Sequence, residues 1–150
     1  AERGASSGDN AVMMVEDDAP HADLFRLAWN DAEAPAHLTV VASGDEALSR
    51  LGVGSPGAPA RTPRLILLDL NLPGLDGREV LGAIRADHHY EDVPIVIFST
   101  SRSPDDIAQT TAAGADDYVV KPLRYVDLLT VVAGITERWL STEPGEGDRT

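Results

Sequence analysis

Cysteine is absent from the 150 residues of the sequence. Its absence excludes disulfide frameworks, thiolate zinc sites and catalysis by a cysteine nucleophile. Long apolar runs are missing as well, since no stretch approaches the roughly 20 apolar residues of a membrane-spanning helix. The first ten residues are polar and lack the apolar segment of a signal peptide. We therefore expect a soluble, cytoplasmic protein that has no membrane partner.

Positive charge is scarce in this chain. Lys and Arg together number 12 against 25 Asp and Glu, which gives a formal net charge of −13 at pH 7. Binding to nucleic acid needs clustered Lys and Arg against the phosphates, so this charge argues against a nucleic-acid partner. Hydrophobic residues still make up 43% of the chain, as in ordinary folded domains. We predict one domain over residues 11–140, with flexible tails at 1–10 and 141–150.

Apolar runs alternate with helical patterns along the chain. The runs at 12–15, 65–68 and 95–98 contain no alternating polar residues, which is typical of strands buried on both faces of a parallel sheet. Weaker strands fit 38–42 and 117–120. Helix start signals follow the first four strands, and a last helix fits about 124–140. The alternation predicts an α/β fold, a doubly wound, flavodoxin-like sheet of five parallel strands in the order 2-1-3-4-5.

Sites in such sheets form at the carboxyl ends of the strands. Polar side chains follow four of the predicted strands there, namely Glu16-Asp17-Asp18, Asp69, Ser99-Thr100-Ser101 and Lys121. Carboxylates that share one edge repel each other, and a hard divalent cation such as Mg²⁺ relieves the repulsion. An aspartate beside such an ion can attack a phosphoryl group, while lysine and hydroxyl groups share the charge of its oxygens. The pattern therefore indicates a phosphoryl-transfer site that uses Mg²⁺.

Four segments of the chain resemble the receiver domain of two-component response regulators. They are residues 14–18 (MVEDD), 67–77 (LLDLNLPGLDG), 99–101 (STS) and 118–122 (YVVKP), and the resemblance covers about residues 11–140. It implies a protein that accepts a phosphoryl group from the phosphohistidine of a sensor histidine kinase. Such a protein signals by protein contacts and is not an enzyme, apart from the chemistry of its own phosphorylation and dephosphorylation. The chain after Lys121 suffices for one helix and a tail, so we expect no DNA-binding output domain.

The resemblance also implies the metal site. Asp69 matches the phosphorylated aspartate, which is also a Mg²⁺ ligand. Asp17 matches the direct ligand, and Glu16 matches the acidic residue that acts through water. The backbone carbonyl of Asn71 matches the third ligand from the protein. Glu at position 16 replaces the commoner Asp and keeps the charge.

The remaining site residues match the phosphoryl contacts and the switch. Ser99 matches the switch hydroxyl, where Thr is commoner, and Thr100 follows it at the same strand end. Lys121 matches the lysine that pairs with the phosphoryl group. Tyr118 matches the aromatic residue that changes rotamer. The resemblance further implies a cis peptide bond before Pro122, although only about 5–6% of X-Pro bonds are cis in general.

A finer resemblance links the chain to the stand-alone receivers that partner bacterial phytochrome kinases. It is carried by residues 69–73, 76–81, 100–102 and the ending Trp-Leu-Ser-Thr at 139–142. It implies a phytochrome kinase as partner and a homodimer, since those receivers dimerise through this end.

The last predicted helix also favours a homodimer. Leu128, Val132, Ile135 and Trp139 form one apolar stripe that faces the sheet. Tyr125, Leu129 and Val131 are left over. We predict that a second copy covers them, in a contact through the last strand and helix. In the alternative, they pack on the neighbouring fourth helix or under the tail.

Three other functions fit the sequence less well. A phosphohydrolase of the haloacid dehalogenase kind needs a second carboxylate two residues after the nucleophile, where this chain has Asn71. A flavodoxin needs a phosphate-cradling loop of Ser, Thr and Gly after its first strand, where this chain has the acids of 16–18. A non-phosphorylated pseudo-receiver, acting as a binding module, would lack the acids or the lysine. This last class remains the alternative to the phosphorylated receiver.

Some polar residues are predicted to have no ligand role. Asp18 is interpreted as a helix cap, because Asp17 already holds the metal position. The histidines are predicted at the surface without ligands, since the kinase supplies the phosphohistidine. They are His21, His37, His88 and His89.

Overall fold

The computed structural model describes residues 10–56 and 62–141. Its strands are β1 (Ala11–Val15), β2 (His37–Val41), β3 (Leu65–Leu68), β4 (Ile95–Ser99) and β5 (Asp117–Val120). Its helices are α1 (Ala19–Asp31), α2 (Gly44–Leu51), α3 (Gly77–Ala86), α4 (Pro104–Ala112) and α5 (Tyr125–Trp139), with a 3₁₀ turn at His88–Tyr90 before β4. The predicted elements are all present, and only the 3₁₀ turn was missed. The predicted tails lie almost wholly outside the described residues.

The five strands form one parallel sheet in the order β2-β1-β3-β4-β5, as predicted. Val15 pairs with Val41 and Leu68, and Leu68 pairs with Ile97, so the strands end almost level. The residues that follow the strands therefore meet at one edge of the sheet. Within residues 10–56 and 62–141, no helix has the length and apolarity needed to cross a membrane.

Apolar side chains cover both faces of the sheet. Met13 and Val15 point into one cluster with α2 and α3, while Val12 and Met14 point into the other with α1 and α5. This explains why the strand sequences are apolar without alternation. Each such side chain contributes about 1.5–3 kcal/mol to folding when fully buried. The core therefore holds the strand ends, and the polar residues on them, in fixed positions.

Local caps start the helices close to the strand ends. The Asp18 carboxylate accepts a hydrogen bond from the backbone N–H of His21 at 3.0 Å, which supports its interpretation as the cap of α1. Asp76 and Glu79 form a reciprocal capping box at the start of α3. The expected cis bond before Pro122 is wrong, because no cis bond occurs in the described residues. The trans form is the preferred one by about 0.5–1 kcal/mol.

The extra apolar residues of α5 have partners within the chain. Tyr125, Leu129 and Val131 are half-buried in the cluster that contains Phe25 and Trp29 of α1. The premise that a single chain leaves them uncovered is therefore wrong, because α1 packs beside α5. The fourth helix is not what covers them. Large apolar side chains that do stay exposed near this end are Leu123 (97%) and Val126 (53%).

Replacement of Gly77 by Ala should destabilise the fold at the site edge. A Cβ atom there would lie 2.2 Å from the Asp69 carbonyl oxygen and 2.6 Å from Leu70 Cα, both of them backbone atoms. We expect the free energy of unfolding to fall by about 1–3 kcal/mol in urea titrations, as for other overpacked sites.

The matched control is Gly82→Ala in the same helix. A Cβ at Gly82 meets nothing within 4 Å, so this variant should gain about 0.8–1 kcal/mol from helix propensity. Equal stability of Gly77→Ala and the unchanged protein would contradict the close approach of α3 to Asp69.

Candidate functional site

Three carboxylates meet at the carboxyl edge of the sheet. Glu16 follows β1 and is 2% exposed, Asp69 follows β3 and is 5% exposed, and Asp17 is exposed. One carboxylate oxygen from each lies within 4.8 Å of the other two. The backbone N–H of Asp18 donates to Glu16 Oε2 at 3.1 Å, and that of Asn71 donates to Asp69 Oδ1 at 3.3 Å. The chain thus buries two acids and leaves the third at the surface.

Lys121 joins the two buried acids. Its Nζ donates to Glu16 Oε1 at 2.5 Å and to Asp69 Oδ2 at 2.9 Å, and it lies 5.8 Å from the centre of the Phe98 ring. Burial alone would lower the pKa of Lys121, but the hydrogen bonds to Glu16 and Asp69 and their charges outweigh it, so the pKa is raised. The ammonium group is therefore retained at neutral pH.

Glu16 experiences the opposite balance. Burial raises the pKa of Glu16, and the hydrogen bond and charge of Lys121 offset this effect only in part. The negative charge of Asp69 raises it further. The cluster of three carboxylates and one ammonium is therefore short of positive charge, and it offers oxygen ligands only. Such a donor set fits a hard divalent cation.

The three predicted hydroxyl-bearing residues differ in burial and in partners. Ser99 is fully buried, and its Oγ accepts a hydrogen bond from the Ser101 N–H at 3.2 Å. Thr100 is exposed and lines the cavity that Glu16 and Lys121 also line. Tyr118 is half-buried, and its hydroxyl donates to the Ser101 carbonyl at 2.9 Å. The loop after β4 therefore connects Ser99 to Tyr118 through Ser101.

The structure contains a polar network that was not predicted from the sequence. Arg78 of α3 pairs with Asp106 of α4 at 2.5 Å, and Asp106 also accepts a hydrogen bond from Ser101 Oγ at 2.6 Å. The hydrogen bond from Ser101, followed by that from Arg78, lowers the pKa of Asp106. The spacing Ser103-x-x-Asp106 at a helix start was the one available signal. The network ties the loop after β4 to the start of α3.

A family model of the response regulator receiver domain matches residues 12–133. This chain belongs to the receiver-domain family. It is a response regulator receiver of two-component signalling. Receiver domains bind Mg²⁺ at an acidic pocket and signal by protein contacts. The haloacid dehalogenase and flavodoxin alternatives are thereby excluded.

Two relatives align with most of the receiver. The response regulator Rcp1 of Synechocystis is 31% identical over 137 residues, which cover 91% of this chain and 93% of Rcp1. The protein named "Probable methanogenesis regulatory protein FilR2", from Methanothrix harundinacea, is 33% identical over 136 residues, which cover 91% of this chain and 87% of FilR2.

Solved structures agree with the sequence relatives. The phosphorylated cyanobacterial phytochrome response regulator RcpA is 35% identical, with a TM-score of 0.80, over 92% of this receiver and 99% of that chain. The Mn²⁺-bound form of Rcp1 has a TM-score of 0.77 at 31% identity, over 90% of this receiver and 97% of that chain. The acidic cluster described above is consistent with divalent metal binding in this receiver.

Proposed function

We propose that this receiver accepts a phosphoryl group on Asp69 from the phosphohistidine of a sensor histidine kinase, in a reaction that depends on Mg²⁺. One observation carries the proposal: Lys121 bridges the buried carboxylates of Glu16 and Asp69, and Asp17 lies in the same cluster. A purely structural Asp at a strand end would need neither the lysine nor the two further acids. The pseudo-receiver alternative is disfavoured for the same reason.

Asp17, Asp69 and the backbone carbonyl of Asn71 would hold Mg²⁺ directly, and Glu16 would act through water. When bound, the ion supplies positive charge that neutralises the phosphoryl oxygens. The backbone position of Asn71 is tied to the site by its hydrogen bond to Asp69 Oδ1. The exposed Asp17 is the acid best placed to receive an ion from solvent, since the other two are buried.

The nucleophile is a carboxylate oxygen of Asp69. It attacks phosphorus and forms an acyl phosphate, while the P–N bond of the phosphohistidine breaks and the imidazole leaves with the electron pair. Lys121 already contacts Asp69 and can follow the new negative charge from carboxylate to phosphoryl oxygen. Ser99 and Thr100 would donate hydroxyl hydrogen bonds to the phosphoryl group. Tyr118 would respond to phosphorylation, because its hydroxyl is hydrogen-bonded to Ser101 in the loop that follows Ser99 and Thr100.

The kinase partner proposed here is a bacterial phytochrome. Support comes from the relatives, since Rcp1 and RcpA are similar along about nine-tenths of this chain, 91% and 92%, and RcpA is a cyanobacterial phytochrome response regulator. We infer a cytoplasmic protein whose domain spans residues 11–140, which makes no nucleic-acid contact and performs no catalysis beyond its own phosphorylation cycle. The net charge of −13 disfavours phosphate-backbone binding.

The function is tested with a small acyl-phosphate donor in place of the kinase. The intact mass of the protein should rise by one phosphoryl group when Mg²⁺ is present and should stay unchanged when the ion is removed by a chelator. Failure to gain mass at any Mg²⁺ concentration would favour the pseudo-receiver. A kinase-dependent gain that needs a phytochrome kinase would then identify the partner.

A homodimer through β5 and α5 is part of this proposal. Strand β5 is an edge strand whose residues are only half-buried, and Val126 at the start of α5 is 53% exposed. We expect a dimer in sedimentation at micromolar concentration. Val126→Asp should raise the dissociation constant of the dimer about tenfold or more, because the substitution places an unpaired charge in the contact.

The control for the dimer is Leu27→Asp on α1, an equally exposed apolar residue outside the last strand and helix. It should leave the association unchanged. A protein that sediments as a monomer both before and after phosphorylation would rule the dimer out.

A further inference from the structure

A second group of metal-ligating side chains lies away from the site described above. Asp87, His88 and His89 follow α3 and precede β4, and one ligand atom from each lies within 4.8 Å of the other two. The two imidazole rings stack with their centres 4.2 Å apart and an interplanar angle of 32°. One nitrogen atom from each ring and one carboxylate oxygen therefore lie close together.

Asp87 fixes the orientation of this group. Its Oδ1 lies 2.9 Å from His89 Nδ1 and accepts a hydrogen bond from the His89 backbone at 3.0 Å. Its Oδ2 accepts a hydrogen bond from the Gly54 backbone at 3.1 Å. A metal ion can take the place of the proton between Asp87 Oδ1 and His89 Nδ1, since metal ligands are deprotonated and both atoms then serve as ligands.

The structural role of Asp87 does not account for the histidines. Asp87 caps the 3₁₀ turn and ties it to the loop at Gly54. The ring of His88 is exposed and has no hydrogen-bond partner among residues 10–56 and 62–141. A turn that needed only a cap would gain nothing from the His88 ring, whose nitrogens are left for another ligand.

We propose that Asp87, His88 and His89 bind a divalent transition-metal ion of the zinc class. Imidazole suits Zn²⁺, Ni²⁺ and Cu²⁺, whereas Mg²⁺ takes oxygen ligands. Two atoms bound to one zinc ion at about 2.1 Å lie no more than about 4.2 Å apart, so binding requires the exposed ring of His88 to turn out of the stack and bring its nitrogen closer to the other two ligand atoms. The proposal departs from the sequence-based expectation that none of the histidines is a ligand.

The proposed zinc site and the acidic cluster lie at opposite ends of the strands of the sheet. Helix α3 begins at Gly77, beside the Asp69 carbonyl, and ends before Asp87, where the chain turns back into β4. No residue is shared between this group and Glu16, Asp17 and Asp69. Zinc binding is therefore independent of the proposed phosphorylation, and the two can fail separately.

The test uses the full chain without a histidine tag, in excess Mg²⁺, titrated with zinc chloride. The protein has four histidines, so their ring signals can be followed individually by proton NMR. Signals of His88 and His89 should shift or broaden first, while those of His21 and His37 stay unchanged. Calorimetry should show that His88→Ala and His89→Ala each weaken zinc binding about tenfold or more.

Two control variants make the result specific. His37→Ala removes another exposed histidine and should leave zinc affinity unchanged. Asp17→Ala should also leave it unchanged, since it removes only an acid of the other site. The proposal is overturned if zinc shows no saturable binding, if His88→Ala and His89→Ala bind it as tightly as the unchanged protein, or if Asp17→Ala abolishes binding.

Discussion

The Asp69→Asn variant should gain no phosphoryl group from an acyl-phosphate donor under conditions in which the unchanged protein gains one. The amide retains the shape of the side chain but has no nucleophilic carboxylate oxygen. Glu16 stays paired with Lys121 through its own hydrogen bond, so no buried charge is left without a partner. We expect labelling to fall to the background level in intact-mass or radiolabel measurements.

Asp18→Asn is the matched control for this experiment. It changes a carboxylate next to the site to an amide, but Asn still caps a helix. The side chain of Asp18 contacts the backbone of His21 rather than the acidic cluster, so labelling should equal that of the unchanged protein. Phosphate on an Asp69→Asn protein with a normal circular dichroism spectrum would show that another residue is the acceptor.

The second large effect concerns Mg²⁺ affinity. Asp17→Ala should weaken Mg²⁺ binding about tenfold or more, because it removes the exposed acid of the cluster and leaves two acids that already share Lys121. Calorimetry is the suitable measurement. The fluorescence of Trp29 is not a suitable measurement, since Trp29 of α1 is buried in the apolar core and its indole N–H donates to the Ala36 carbonyl at 2.8 Å.

Asp18→Ala should show the reverse pattern. Mg²⁺ affinity should stay within about twofold, while the free energy of unfolding falls by about 0.5–2 kcal/mol because α1 loses its cap. The neighbouring acids would thus separate metal binding from helix stability. Equal losses of affinity in Asp17→Ala and Asp18→Ala would show that the direct ligand is misassigned.

Most of the fold follows from local patterns. The apolar runs at 12–15, 65–68 and 95–98 could be interpreted as buried strands because a parallel sheet covers both faces of each strand. Asp18 could be interpreted as a cap from its position before Pro20. The strand ends then specify the site edge, since parallel strands of equal register end together. The family motifs indicated the site residues, and the structure brings the acids and Lys121 together.

Contacts between distant segments could not be predicted from the sequence. The pairing of Arg78 with Asp106, across 28 positions, depends on how α3 and α4 lie beside each other. The burial of Glu16 next to an exposed Asp17 depends on Lys121 reaching back over 105 positions.

The sequence by itself thus determined the order of the elements and the residues at the strand ends, because backbone periodicity and capping are local effects. Only the tertiary structure decided that α1 covers the extra apolar side chains of α5, and that Asp87 is tied to Gly54, 33 positions away. The physical reason is that helix-to-helix packing and side-chain direction are set by contacts with the rest of the core. Two residues of the same type, such as His37 and His89, therefore cannot be distinguished until those contacts are known.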